Sequence, residues 1–207
     1  MVELSQIKLY RITHVENIPH IQQFGITHSN SVNANPEYKS IGDNSLITTR
    51  NEFKLNNGRT LGEYIPFYFG PRMPMLYVIQ HGYNMVSPTP AHEIVYCITS
   101  IQNVINLGLE FIFTDGHAVD SFSSQYTKQD LAKIESIIDW KAITDRYWRD
   151  ESDLDKKRRR EAEFLILGDL ASEGIISFLV FNNEAKRRLI QFGVSEDLVY
   201  LRPENYF

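Results

Sequence analysis

Lys156-Lys157-Arg158-Arg159-Arg160-Glu161-Ala162-Glu163-Phe164-Leu165-Ile166-Leu167 runs five consecutive cations into an apolar segment that carries a carboxylate. Residues 151–160 read as a charged helix, and the apolar residues from about Ala162 as the strand it feeds. In an extended segment alternate side chains share a face, so Glu163 projects with Leu165 and Leu167 while Ala162, Phe164 and Ile166 point the other way. A carboxylate in that setting is partly desolvated, and it must find a donor or serve a developing positive charge. Read alone, Glu163 is first of all a salt-bridged carboxylate at the mouth of a strand, closing off the helix that carries the cations.

Working outward, residues 7–12 read as a first strand and residues 15–24 as a helix ended by Gly25. Residues 27–43 are polar, rich in Asn and Ser and interrupted by Pro36. This is a long loop of the kind that carries function. Residues 61–69 and 93–99 read as strands with a helix at 75–81 between them. Residues 102–107 give a short helix and 111–113 a short strand. A second irregular stretch follows Asp115, then a helix near 129–138. Residues 175–181 read as a strand, 184–192 as a helix and 198–201 as a last strand. Short strands interspersed with helices, without a repeat or linker, predict a single α+β domain.

The 207 residues suffice for a full core, and 43% hydrophobic with 23% charged residues excludes a disordered or fibrous chain. A net charge of −5 argues against a general nucleic-acid coat protein. The cations at 156–160 are offset by Glu151, Asp153, Asp155, Glu161 and Glu163, so the run reads as a solvated helix as readily as a DNA groove. The single Cys97 lies in an apolar run and reads as a buried, inert thiol. Residues 1–6 lack a signal-peptide pattern, and no apolar stretch approaches the roughly 20 residues that span a bilayer. A soluble, cytoplasmic protein is expected. No Gly-rich phosphate turn, no Gly-x-Ser-x-Gly elbow and no recurrent metal-ligand spacing occurs, which predicts neither a Rossmann site, a P-loop, a serine hydrolase nor a metal centre.

Seven segments stand in a telling order: Tyr10-Arg11-Ile12-Thr13-His14; Gly25-Ile26-Thr27-His28; Arg50; Pro66-Phe67-Tyr68-Phe69; Phe113-Thr114-Asp115-Gly116-His117; Tyr147-Trp148; and Ala162-Glu163-Phe164-Leu165. Over nearly the whole chain they resemble the DarT family of ADP-ribosyltransferases, with Arg11 where many members have His. The resemblance implies a PARP/diphtheria-toxin-like ADP-ribosyltransferase fold with a central split β-sheet flanked by helices. It implies a toxin that moves ADP-ribose from NAD, consumed as co-substrate, to a thymidine or guanosine base in single-stranded DNA. It also implies an antitoxin partner, a macrodomain or related ADP-ribosyl hydrolase, that reverses the modification.

Breaking the ribose–nicotinamide bond builds positive charge on the sugar, which an anion placed nearby stabilises. Glu163 is the candidate, and a positioned carboxylate can also take the proton from an imide nitrogen of the acceptor base. Arg50 matches the family's second essential residue and can fork to a phosphate; otherwise it is an exposed helix arginine. Arg11, Ile12, Thr13, His14, His20, His28 and Tyr68 are the expected NAD contacts, with Tyr68 stacking on nicotinamide. His14 can instead cap the following helix, and surface or capping roles suit His20 and His28 nearly as well. Residues 33–50 correspond to a loop over NAD and residues 117–163 to a substrate-facing loop. There His117, Tyr147 and Trp148 can engage an unpaired base, although Tyr147 and Trp148 serve equally as core anchors. Arg72, set among prolines in an apolar block, must be paired or reach ligand, and DNA is the expected ligand.

Overall fold

The structure, a computed structural model, describes residues 3–207; Met1 and Val2, where the segment read as lacking a leader begins, lie outside the described residues. The strands are β1 (Lys8–His14), β2 (Tyr64–Tyr68), β3 (Ile94–Ser100), β4 (Phe111–Thr114), β5 (Gln125–Tyr126), β6 (Glu163–Leu167), β7 (Ser177–Val180) and β8 (Val199–Leu201). The helices are α1 (Ile18–Phe24), α2 (Asn44–Glu52), α3 (Pro74–His81), α4 (Ile101–Asn106), α5 (Ile134–Ile137), α6 (Trp140–Thr144), α7 (Lys156–Arg160) and α8 (Asn183–Gln191). The α+β expectation holds.

The strands form one sheet in the order β5-β4-β6-β2-β1-β3-β7-β8. Its middle is nearly parted, because β1 meets β2 at one ladder pair, Tyr10↔Tyr68, whereas β1 and β3 pair along seven positions. The reason is in the sequence of β2. Continuing the antiparallel register would set Pro66 opposite Ile12, and proline has no N–H to donate. The Pro66 carbonyl is taken by the Arg11 guanidinium at 3.0 Å. One half-sheet is therefore β5-β4-β6-β2 and the other β1-β3-β7-β8, which is the split the resemblance implied.

The alternation read at β6 is observed. Ala162, Phe164 and Ile166 enter the largest core cluster with Phe67, Phe111 and Phe113, while Leu165 packs with Leu61, Tyr64 and Ile112. Burial pushes the Cys97 thiol up to about 12, in keeping with an inert side chain.

Several boundaries differ from expectation. The charged helix is only Lys156–Arg160, because Asp150, Asp153 and Asp155 turn back to ion-pair with Lys156 and Arg159 instead of extending it. The segment near 129–138 is a 3-10 turn at Lys128–Lys133 followed by the short α5. Residues 61–63 form a 3-10 turn closed by a capping box of Thr60 and Glu63, so the strand starts at Tyr64. Within the expected loop 33–50, residues from Asn44 onward are helical: Asp43 accepts from the Ser45 N–H at 2.8 Å and caps α2.

His14 ends β1 as a cap. Its Nδ1 accepts the Glu16 N–H at 3.1 Å, and its Nε2 lies 3.3 Å from a Glu93 carboxylate oxygen. Burial, and then the charge of Lys39, lower its pKa despite Glu93. A histidine lowered in the folded state binds protons more readily unfolded, so its stabilisation is complete above the unfolded value near 6.5 and declines as pH falls below it. The urea midpoint should therefore drop between about pH 7 and pH 5, and His14→Gln should flatten that slope. An unchanged slope would assign it elsewhere, since carboxylates lowered by pairing, such as Asp155 at about 2, respond only at more acidic pH.

Candidate active site

The split in the sheet opens into a cavity of about 430 Å³. Arg11, Ile12 and Thr13 of β1 line one side and Tyr64, Ile65, Pro66 and Tyr68 of β2 the other. Its roof is the irregular segment before α2, including Ala34, Asn35, Tyr38 and Gly42, with Ile47 and Arg50 of α2. Asn17 holds the roof down: its side chain donates to the Lys39 carbonyl at 2.9 Å and to Thr13 Oγ1 at 3.0 Å, and accepts from the Lys39 N–H at 2.8 Å. Fully buried, Asn17 is a positioning residue that sequence reasoning missed. Its only signal was a polar side chain at the start of a helix.

Glu163 opens β6 with no exposed surface and Tyr68 as its cross-strand partner. One carboxylate oxygen accepts from Arg50 Nη1 at 2.8 Å, and the other from the Ala118 backbone N–H at 3.0 Å. His117 Nε2 stands 3.9 Å from that second oxygen. The Glu163 N–H donates to Thr114 Oγ1 at 3.1 Å, and Thr114 donates to the Gly116 carbonyl at 2.6 Å, which ties the strand to the turn that presents Ala118. Thr114 and the Ala118 amide escaped sequence reasoning because they act through a hydroxyl and a backbone group with no spacing signature. Burial, and then the charge of Glu163, raise the Tyr68 phenol well above its ordinary value, so it stays protonated as a donor.

Arg50 lies in the last turn of α2, a favourable end for a cation. It lines the cavity, and its Nη2 is buried with no acceptor. One side of the guanidinium thus holds Glu163 while the other has a donor to offer a ligand.

The remaining expected residues divide. His20 and His28 line the cavity with Arg11, Ile12 and Thr13. His28 is fixed by the Gly62 carbonyl on Nε2 and by its N–H to Asp169 at 2.7 Å. His14 is absent from the cavity wall, and the capping alternative describes it. His117 reaches Glu163, but Tyr147 is 65% exposed and Trp148 packs edge-on against Tyr77 and Phe207. Arg72 is bound to the C-terminal segment through the carbonyls of Glu204 and Tyr206. In the cationic run, Lys156, Arg158 and Arg159 are ion-paired to aspartates at 115, 139, 145, 150, 153 and 155 and Arg160 is buried, so these four fasten their own loop, while Lys157 is exposed.

The parted sheet and the glutamate–arginine pair beside its cavity agree with the ADP-ribosyltransferase class of fold that the resemblance implied. Comparison with known proteins is more specific. Residues 10–207 match the family model described as "ssDNA thymidine ADP-ribosyltransferase, DarT". A DNA ADP-ribosyl transferase of Escherichia coli O127:H6 is 32% identical over 205 residues, covering 96% of this chain and 93% of that relative. One from Thermus sp. (strain 2.9) is 36% identical over 163 residues, 76% of this chain and 73% of the relative. The structure of Thermus sp. 2.9 DarT in complex with ADP-ribosylated ssDNA superposes with a TM-score of 0.84 at 28% identity, covering 97% and 96% of the two chains. Its complex with NAD+ gives a TM-score of 0.77 at 28% identity, covering 97% and 98%. The chain belongs to the DarT family of DNA ADP-ribosyltransferases.

Among the described residues no helix is long and apolar enough to cross a membrane.

Proposed function

We propose that this chain, acting as one ADP-ribosyltransferase domain in the cytoplasm, transfers ADP-ribose from NAD to a thymidine base in single-stranded DNA and releases nicotinamide. The observation that carries this is the fully buried Glu163, hydrogen-bonded to Arg50 at the edge of the cavity in the split. Support for NAD and DNA as substrates comes from the Thermus complexes, and for thymidine from the description of the family model.

The ribose–nicotinamide bond breaks with its electron pair leaving on nicotinamide, and the sugar carbon becomes cationic. The Glu163 carboxylate stabilises that charge where it develops. Arg50, through its unpaired Nη2, grips the diphosphate or orients the ribose, and Tyr68 faces the nicotinamide end. The acceptor nitrogen attacks the ribose carbon and gives up its proton, for which Glu163 is the positioned base, with His117 beside it. A partner hydrolase that removes the product is the counterpart expected of such a toxin. A Thermosipho africanus relative named as a DNA ADP-ribosyl transferase–DNA ADP-ribosyl glycohydrolase fusion protein, 32% identical over 160 residues that make up 77% of this chain and 38% of that relative, supports that pairing.

The test is incubation with labelled NAD and one sequence presented as single-stranded DNA, annealed duplex and RNA, followed by single-base changes. Labelling of the single strand at thymidine is expected, because pairing buries the ring nitrogen. Preferred labelling of RNA, of protein or of guanosine would overturn the assignment.

A further inference from the structure

Of the cations that fasten the loop before β6, Arg158 also reaches the turn that serves Glu163. Its guanidinium forks onto Asp155, at the start of its own helix, at 2.6 and 2.8 Å. Through Nη1 it also donates to Asp115 at 3.3 Å and to Ser123 Oγ at 3.2 Å. Its backbone carbonyl accepts the His117 N–H at 3.0 Å. One residue thus holds the segment from Asp115 to Ser123 at three points, by side chain and by main chain. The side chain is 13% exposed, so water competes poorly for these contacts.

The held segment has no ladder of its own. β4 ends at Thr114, and Asp115, Gly116 and His117 lie outside regular structure before Ala118 gives its N–H to Glu163. From His117 the chain folds back: the Asp120 N–H donates to the His117 carbonyl at 2.9 Å and the Ser123 N–H to the Asp120 carbonyl at 3.0 Å, which returns Ser123 to Arg158. Gly116 is buried where a Cβ would overlap the Arg158 guanidinium and stand 2.7 Å from Ser123 Oγ. Helix α7 approaches the turn this closely because that side chain is missing.

We propose that Arg158 is a positioning residue for the transfer step: by clamping the segment 115–123 onto α7, it sets the Ala118 N–H and the His117 ring against the Glu163 carboxylate. This rests on the transferase reading above. Among the described residues, neither Arg158 nor the turn it holds borders the cavity in the split. Losing the clamp therefore disorients the charge that meets the cationic ribose, while the pocket that binds NAD in the ground state stays as it was.

The experiment compares kcat, KM for NAD and backbone amide exchange in variants of the full chain. Arg158→Ala and Asp115→Asn should each lower kcat about tenfold, the weight of one charge-assisted hydrogen bond, with KM for NAD unchanged. Asp115→Asn reports the same contact should Arg158→Ala not fold. Asp155→Asn removes the ion pair within the helix and leaves the clamp on the turn, so its kcat should stay near that of the wild type. Gly116→Ala, which pushes the guanidinium off the turn, should cost about tenfold in the wild type and little more in Arg158→Ala. Equal losses in Asp155→Asn and Asp115→Asn, additive losses in the double variant, or a raised KM with kcat intact overturn the proposal. The Ala118 amide should exchange faster in Arg158→Ala and Asp115→Asn while amides of the β2–β6 ladder keep their protection. A uniform loss of protection across the sheet would assign Arg158 to stability alone and overturn the positioning role. If no oligonucleotide is ever labelled, the transferase reading fails, and the Ala118 exchange still decides whether Arg158 holds the turn.

Discussion

Glu163→Gln should lower ADP-ribosyl transfer by about 10³-fold while leaving the protein folded and its affinity for NAD little changed. The substitution keeps the size of the side chain, and the amide oxygen can still accept the Ala118 N–H that the carboxylate accepts at 3.0 Å. What it removes is the negative charge, in a position without solvent exposure where no water can substitute for it. That charge matters chiefly when the ribose is cationic, so the loss belongs to the transition state, in kcat, and leaves ground-state binding in place. Glu161→Ala is the control. Burial raises the Glu161 pKa and it carries none of the hydrogen bonds to Arg50 or Ala118, so far more activity should remain. A Glu163→Gln enzyme that labels DNA at the wild-type rate would remove Glu163 from the mechanism.

Arg50→Ala should cost about 10²-fold in kcat/KM, with weaker NAD binding by calorimetry. Two contacts go at once: the bond from Nη1 to Glu163 and the unmet Nη2 at the cavity wall. It also leaves a buried carboxylate without its cation, which costs about 3 kcal/mol or more. The thermal midpoint should fall with the activity, and adding Glu163→Gln should recover part of that stability, since the double variant no longer buries an unpaired charge. Lysine should rescue poorly, because a point charge cannot hold the carboxylate and a ligand in one rigid fork. Unchanged calorimetry and single-turnover rates in Arg50→Ala would remove this residue from NAD binding and from the transfer step.

The β6 segment was legible because the apolar run is long enough for its alternation to be read, and Glu163 interrupts it. The strand around Cys97 was legible as an unbroken apolar run, all of whose residues are buried, and the helix read at 75–81 is found at Pro74–His81. Helix α2 was not, because Asn44–Glu52 buries none of its residues and has no apolar stripe; only the Asp43 cap marked it. β5 and α6 are too short to establish a period. Of the candidate site, the two charged side chains that the structure brings together, Glu163 and Arg50, were legible. The site was illegible where a backbone group or a hydroxyl does the positioning, as at Ala118 and Thr114. His14 shows the limit of the resemblance: it places the residue at the pocket's strand without specifying which way the ring turns, and Glu16 and Glu93 decide that.

The nearly parted sheet has a consequence for the cooperativity of the native state. With one ladder pair joining its halves, the amides around Tyr10 and Tyr68 mark the seam along which sub-global opening costs least. A dinucleotide lodged between β1 and β2 touches both halves, so each opening event must first expel it, and occupancy raises the opening free energy by RT ln(1 + [L]/Kd). Substrate then acts as the missing length of ladder. Hydrogen exchange along this seam would slow in step with occupancy, even for amides that no ligand atom contacts.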